Sequence, residues 1–153
     1  MIRTSDPFLR AVRLPEGVAG ELWLGPMPGR LRPFAEDLAA LAAQEISRIV
    51  SLTPLAEIEE KAPAYAAALA GDTGIAISCF PIADFGVPED EAGFFALARQ
   101  TAAELRDGGT IFVHCAAGIG RTGTVATCIL LVLGLNPTDA LERIAAAGSG
   151  PET

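Results

Sequence analysis

The chain has 153 residues, half of them apolar (50%), and a formal net charge of −8. That length suits a single domain, residues 1–153, with enough chain to bury a proper core, while the acidic balance disfavours DNA, RNA and anionic membranes as main partners. The longest uncharged apolar run, Val125 to Leu135, is too short to span a bilayer, and Met1 to Pro7 lacks the apolar stretch of a secretory signal.

The predicted elements alternate strand and helix. Glu21-Leu22-Trp23-Leu24 reads as a short strand closed by Gly25-Pro26-Met27-Pro28-Gly29, and a helix follows from about Pro33 to Ala43. Ile46 to Leu52 is rich in β-formers and stops at Thr53-Pro54. Alanine-rich helix then runs to about Ala70, with Pro63 forcing a break or a restart. A strand begins at Ile75 and leads into Cys79 to Pro88, a segment punctuated by Pro81, Gly86 and Pro88. Pro88-Glu89-Asp90-Glu91 is predicted to open a helix reaching Arg106, with proline in the first turn and acids near the positive dipole end. Asp107-Gly108-Gly109 turns into the apolar strand Thr110-Ile111-Phe112-Val113. A buried helix runs from near Gly120 to near Gly134, and a last helix starts with Asn136 as cap and Pro137 at its first position, reaching about Ala147. This alternation predicts an α/β fold: a mainly parallel central sheet of about four to five strands with helices on both faces. Ligands in such sheets bind beyond the carboxyl ends of the strands, where Cys115 and Asp84 both fall.

The segment His114-Cys115-Ala116-Ala117-Gly118-Ile119-Gly120-Arg121-Thr122-Gly123 joins a strand to a helix. Five residues between Cys115 and Arg121 suffice for one tight cradle whose N–H groups converge on an anion, with the helix dipole behind it. Ala116, Ala117, Gly118, Ile119 and Gly120 would supply those amides. Gly118, Gly120 and Gly123 suit backbone conformations and close approaches that a side chain hinders. The Arg121 guanidinium is a planar fork able to hold two phosphoryl oxygens, which lysine cannot do. The field that binds phosphate also favours a thiolate at Cys115, a nucleophile aimed at phosphorus. Thr122, next to Arg121, carries a hydroxyl that would donate to the thiolate or the departing sulfur.

The pattern His-Cys, five residues, Arg-Thr resembles the catalytic loop of the cysteine-dependent protein tyrosine phosphatase superfamily. The order and length of the elements resemble its small dual-specificity members. The resemblance implies a phosphatase that hydrolyses phosphotyrosine, and also phosphoserine or phosphothreonine, on proteins through a cysteinyl-phosphate. It implies that His114 orients the loop through hydrogen bonds. It also matches Pro81-Ile82-Ala83-Asp84 with the general-acid loop, making Asp84 the proton donor to the leaving oxygen and then the base toward water; taken alone, Asp84 reads as a turn or cap residue. Family members commonly carry a downstream glutamine that positions the hydrolytic water. Gln44 and Gln100 lie in no matching segment. Relatives acting on inositol phospholipids carry lysines inside the loop, where this chain has Ala116, Ala117 and Ile119, so phosphoprotein is the expected partner. A small-metabolite or lipid head-group phosphatase, and a phospho-binding module with weak turnover, remain alternatives.

Three cysteines without regular spacing argue against a disulfide framework and for a reducing compartment, hence a cytoplasmic location. Cys79 and Cys128 are read as core residues. A reversible Cys79–Cys115 disulfide is also open, if both lie at the ends of central strands. One histidine and no ligand-spaced cluster leave neither metal nor cofactor expected. Arg99 and Arg106 are read as solvated.

Overall fold

A computed structural model describes residues 6–71, 73–82 and 90–150. Its described elements are β1 (Arg10–Val12), β2 (Glu21–Gly25), α1 (Phe34–Ala43), β3 (Arg48–Ser51), α2 (Leu55–Lys61), α3 (Pro63–Leu69), β4 (Ala76–Cys79), α4 (Glu91–Arg106), β5 (Thr110–His114), α5 (Gly120–Val132) and α6 (Pro137–Ala146). They form one five-stranded sheet in the order β1-β2-β5-β3-β4. Only β1 runs antiparallel to its neighbour; β2, β5, β3 and β4 are parallel.

Strand β5 is central because its residues are apolar on both sides. Ile111 and Val113 face a cluster with Val125, Ile129 and Leu130 of α5, Ala98 and Leu105 of α4, and Ile144 of α6. Phe112 faces the other way, with Trp23, Leu41 and Ile49. The same alternation holds in β2, where Leu22 and Leu24 oppose Trp23, and in β3, where Val50 opposes Ile49. A strand buried on both faces reads as a continuous apolar run, which the central strands show. Helices α4, α5 and α6 cover one face. Helix α1 covers the other, continued by α2 and α3 around Ile58, Ala62 and Tyr65.

Local chemistry explains most element ends. Pro63 restarts a helix: Ala62 before it takes a non-helical conformation (φ −148°, ψ 70°), so the alanine-rich stretch splits into α2 and α3. The Asn136 side chain caps α6 by accepting from the Asp139 amide at 2.9 Å, with Pro137 in the first turn. Helix α4 departs from expectation. It starts at Glu91, and the Asp90 carboxylate is its cap, accepting from the Gly93 amide at 2.9 Å; Pro88 and Glu89 lie outside the described residues. The expected strand at Ile46 to Leu52 is trimmed to β3, because Ile46 bonds back to Leu41 after α1.

Two cysteine expectations are corrected. Cys79 is exposed rather than core, whereas Cys128 is half-buried and packs against the main core cluster as expected. Cys79 ends β4, which is an edge strand and not a central one. It pairs in register with Ser51, which pairs with His114. Cys79 therefore stands two strand spacings from β5, roughly 9–10 Å. A disulfide needs Cα atoms within about 7 Å, so a Cys79–Cys115 bond does not fit this sheet. Arg99 and Arg106 are exposed as expected, the latter donating to the Val132 carbonyl. No helix among the described residues is long and apolar enough to cross a membrane.

Candidate active site

The site forms where β5 ends and α5 begins. Cys115 follows directly on β5 and is 2% exposed. Its sulfur accepts hydrogen bonds from the Gly118 amide at 3.3 Å and the Thr122 hydroxyl at 3.1 Å. Helix α5 starts at Gly120, so its first amides have no partner within the helix and its positive end faces the loop. Ala116 turns its methyl into the core beside Met27, Ile58 and Tyr65, and its carbonyl accepts from the Met27 amide at 3.0 Å. Ala117 and Ile119 are exposed. None of these three brings charge to the loop.

Of the three glycines expected to shape the cradle, Gly118 alone has positive φ, +77°. A Cβ there would stand 2.3 Å from the Gly25 carbonyl oxygen at the end of β2. Gly123 serves a different purpose. Its missing side chain lets the backbone of Gly150 pack against α5, where a Cβ would lie 2.4 Å from it.

His114 is fully buried and tied at both ring nitrogens. Nδ1 lies 3.0 Å from the Cys115 carbonyl and Nε2 2.8 Å from the Tyr65 hydroxyl. A carbonyl only accepts, so Nδ1 carries the proton. Burial pushes the imidazole pKa down to about 4, with the Arg121 charge adding to the fall. The ring is therefore neutral near pH 7, Nε2 accepts, and Tyr65 donates. Burial raises the Tyr65 pKa, which keeps that donor protonated. The chain Tyr65–His114–Cys115 fixes the strand-to-loop corner from beneath.

Arg121, in the first turn of α5, is 2% exposed and forks onto Glu57 of α2, with Nη1 at 2.9 Å and Nη2 at 2.8 Å from the two carboxylate oxygens. Nη1 also donates to the Ile82 carbonyl at 3.0 Å. The Glu57 carboxyl is held down at about 2, chiefly by the Arg121 hydrogen bonds and against burial, with Lys61 assisting at 3.0 Å. Ile82 reaches this position because residues after β4 keep running beside β3: Phe80 donates to Ser51 at 2.9 Å and Ile82 to Leu52 at 2.8 Å.

The structure thus brings together Cys115, Arg121, Thr122, His114 and the loop Ala116 to Gly120. Asp84 lies outside the described residues. Glu57 and Tyr65 were not foreseen. Glu57 sits among Glu59, Glu60 and Lys61 in a helix that reads as solvated, and only its contact with Arg121, 64 positions away, distinguishes it. Tyr65 is the chain's single tyrosine, yet its spacing resembles any core residue of an alanine-rich helix. Among the described residues no three His, Cys, Asp or Glu side chains gather as a metal set.

Comparison with known proteins agrees with this geometry. The family model described as "PTP-SAK: Swiss Army Knife protein, DSP-PTPase phosphatase domain" matches residues 27–151. A 55-residue stretch is 44% identical to mouse tyrosine-protein phosphatase non-receptor type 2, covering 32% of this chain and 14% of that protein. A 42-residue stretch is 50% identical to rat receptor-type tyrosine-protein phosphatase zeta, covering 27% of this chain and 2% of that protein. The match thus spans only a small part of these curated relatives. Among solved structures, kinase associated phosphatase with its catalytic-site cysteine changed to serine superposes with a TM-score of 0.82 at 23% identity, covering 98% of this chain and 90% of that one. DUSP15 superposes with a TM-score of 0.61 at 27% identity, covering 92% and 79%. TpbA of P. aeruginosa, in complex with pTyr, gives 0.60 at 22% identity over 97% and 85%.

Proposed function

The chain belongs to the DSP-PTPase phosphatase-domain family, and on that premise we propose that it hydrolyses phosphate monoesters on phosphotyrosine proteins, and on phosphoserine or phosphothreonine as well. The observation that carries the reading is a single loop in which the Cys115 sulfur accepts from Gly118 and Thr122 while Arg121, six residues on, is clamped by Glu57.

The chemistry follows from those contacts. The Cys115 thiolate attacks phosphorus in line, an S–P bond forms, and the P–O bond to the leaving group breaks. Asp84 gives that oxygen its proton. Support for Asp84 is its place in the chain, two residues beyond Ile82, whose carbonyl is bonded to Arg121. The loop amides and the Arg121 fork hold the equatorial oxygens as charge spreads onto them. Water then attacks phosphorus, its proton passes to Asp84, and the S–P bond breaks to release inorganic phosphate. Thr122 steadies the departing sulfur from 3.1 Å. His114, neutral and doubly hydrogen-bonded, orients the loop and takes no part in proton transfer.

The apolar side chains of Ala116, Ala117 and Ile119 support a singly phosphorylated protein side chain over a polyphosphorylated head group, which would need added cations. We place the enzyme in a reducing compartment, the cytoplasm, on the strength of its free, buried nucleophilic thiol. Turnover of p-nitrophenyl phosphate tests the reading. Intact protein should be active, and Cys115→Ser should lose about 10⁴-fold or more while still binding phosphopeptide. Binding without turnover in the intact chain would make it a phospho-binding module. Equal or faster turnover of inositol or sugar phosphates would move the substrate class. Asp84→Asn should slow phenyl phosphate far more than p-nitrophenyl phosphate, whose leaving group needs no proton; equal slowing removes Asp84 from the acid role.

A further inference from the structure

Behind the phosphate loop, on the side away from Glu57, a second arginine closes on it. Arg10 of β1 donates through Nη2 to the Gly118 carbonyl and through Nη1 to the Ala147 carbonyl at 2.6 Å and the Ser149 hydroxyl at 3.0 Å. Ser149, in the turn after α6, donates its own hydroxyl to the same Gly118 carbonyl at 2.6 Å. Beside it the Gly150 amide donates to the Ile119 carbonyl at 3.3 Å, which also accepts the first helical bond of α5 from Gly123 at 2.8 Å. Two consecutive loop carbonyls are thus held from the rear by groups 31 to 108 positions away.

We propose that Arg10 and Ser149 are positioning residues that grip the Gly118 carbonyl and so aim the Ile119 amide at a bound phosphoryl group, with the Arg10 charge serving as a second cation for it. The inference rests on the reading of residues 115–121 as a phosphate cradle. Its first support is peptide geometry. The described chain has no cis peptide, and in a trans peptide the N–H points opposite to the C=O. Pulling the Gly118 carbonyl back therefore pushes the Ile119 N–H forward. Pulling the Ile119 carbonyl back along α5 does the same for the Gly120 N–H. Both amides precede the first helical hydrogen bond and have no partner inside the helix.

The second support is the electrostatic state of Arg10. It is half-buried, and no carboxylate among the described residues pairs with it. Burial pulls its pKa below the ordinary arginine value, and negative charge at the Cys115 sulfur acts in the opposite sense. A cation desolvated against carbonyls and a hydroxyl is costly unless an anion compensates it. The thiolate acts on Arg10 in that sense, and a phosphate dianion in the loop would do the same. The third support is steric: a Cβ on Gly118 would lie 2.8 Å from Arg10 Nη2, so the guanidinium packs directly against the loop at the glycine that the Gly25 carbonyl, 2.3 Å from the same Cβ, already requires.

Three variants of the full chain test this: Arg10→Met, Arg10→Lys and Ser149→Ala. Alkylation of Cys115 by iodoacetate is followed by peptide mass spectrometry, which separates it from Cys79 and Cys128, and inorganic phosphate is titrated as protectant. Arg10→Met should raise the phosphate concentration for half-protection about tenfold or more, and Ser149→Ala about threefold, as expected for losing one charged or one neutral hydrogen bond. Arg10→Lys should fall between wild type and Arg10→Met, since charge returns without the fork. KM for p-nitrophenyl phosphate should rise with the same ranking; a scaffold defect alone would lower the active fraction and leave KM unchanged. If Arg10→Met does not fold, Arg10→Lys and Ser149→Ala decide by the same criteria. Half-protection within twofold of wild type in the folded variants overturns the proposal, as does a wild-type protein that phosphate does not protect. A wild type that is protected but does not turn over p-nitrophenyl phosphate overturns the enzymatic reading and leaves this inference to be judged on protection.

Discussion

The two ends of the phosphate loop are built differently. Around Cys115 the donors to sulfur among the described residues are Gly118 and Thr122, within seven positions. Around Arg121 the acceptors that hold the guanidinium are the Glu57 carboxylate and the Ile82 carbonyl, 64 and 39 positions away. The nucleophile is thus prepared by a short stretch of backbone and its own helix start. The oxyanion-gripping fork is aimed by tertiary contacts that a local motif cannot carry. Damage to distant residues should therefore fall on Arg121 function first, and on the sulfur last.

At the arginine end the largest effect should come from Arg121→Lys. Charge remains, yet the ammonium cannot bridge Glu57 and two phosphoryl oxygens at once, so kcat on p-nitrophenyl phosphate should drop by about 10²–10³-fold. Cys115 should still alkylate in the variant. A thiol made inert by this substitution would break the division drawn between the two ends.

Glu57→Gln comes next, with an expected loss of about tenfold in kcat/KM as the fork loses its charged anchor. It also predicts a pH signature. The Glu57 carboxyl titrates at about 2 in the folded protein against 4.5 for the unperturbed group. A depressed acid stabilises the fold above its unfolded pKa, and that stability fades as pH falls from about 4.5 toward 2. The shift corresponds to roughly 3 kcal/mol at neutral pH. Urea unfolding at pH 7 should therefore separate wild type from Glu57→Gln most, with the gap closing below pH 4.5. A gap that stays constant down to pH 3 would mean the ion pair stabilises nothing.

Tyr65→Phe should have the smallest effect. It leaves the buried His114 Nε2 without its donor, at a cost of about 1–3 kcal/mol in thermal or urea unfolding, with KM close to wild type. A large KM change would extend tertiary control to the sulfur end as well.

Much of this molecule is legible in its residues alone. The apolar run Thr110 to Val113 followed by a glycine-bearing loop identified the central strand, the loop and the helix after it, because burial on both faces and a tight anion nest leave local marks. Asn136-Pro137 marked a helix start for the same reason. The misses have equally definite causes. Strand β1 is three residues long, and Arg10 within it interrupts any apolar alternation. Cys79 looked like core because it follows an apolar run, yet an edge strand exposes what a central strand would bury.

What the residues alone specified was the chemistry: a sulfur, a guanidinium fork and glycine at the one strained position, all within a stretch short enough that neighbours along the chain shape one another. What only the folded molecule decided was aim. Glu57, Tyr65, Arg10 and Ser149 matter through carbonyls, a ring nitrogen and a guanidinium that sheet order and helix packing bring to them. Hydrogen bonds between distant positions leave no periodicity or spacing in a sequence, so three-dimensional proximity was needed to reveal them.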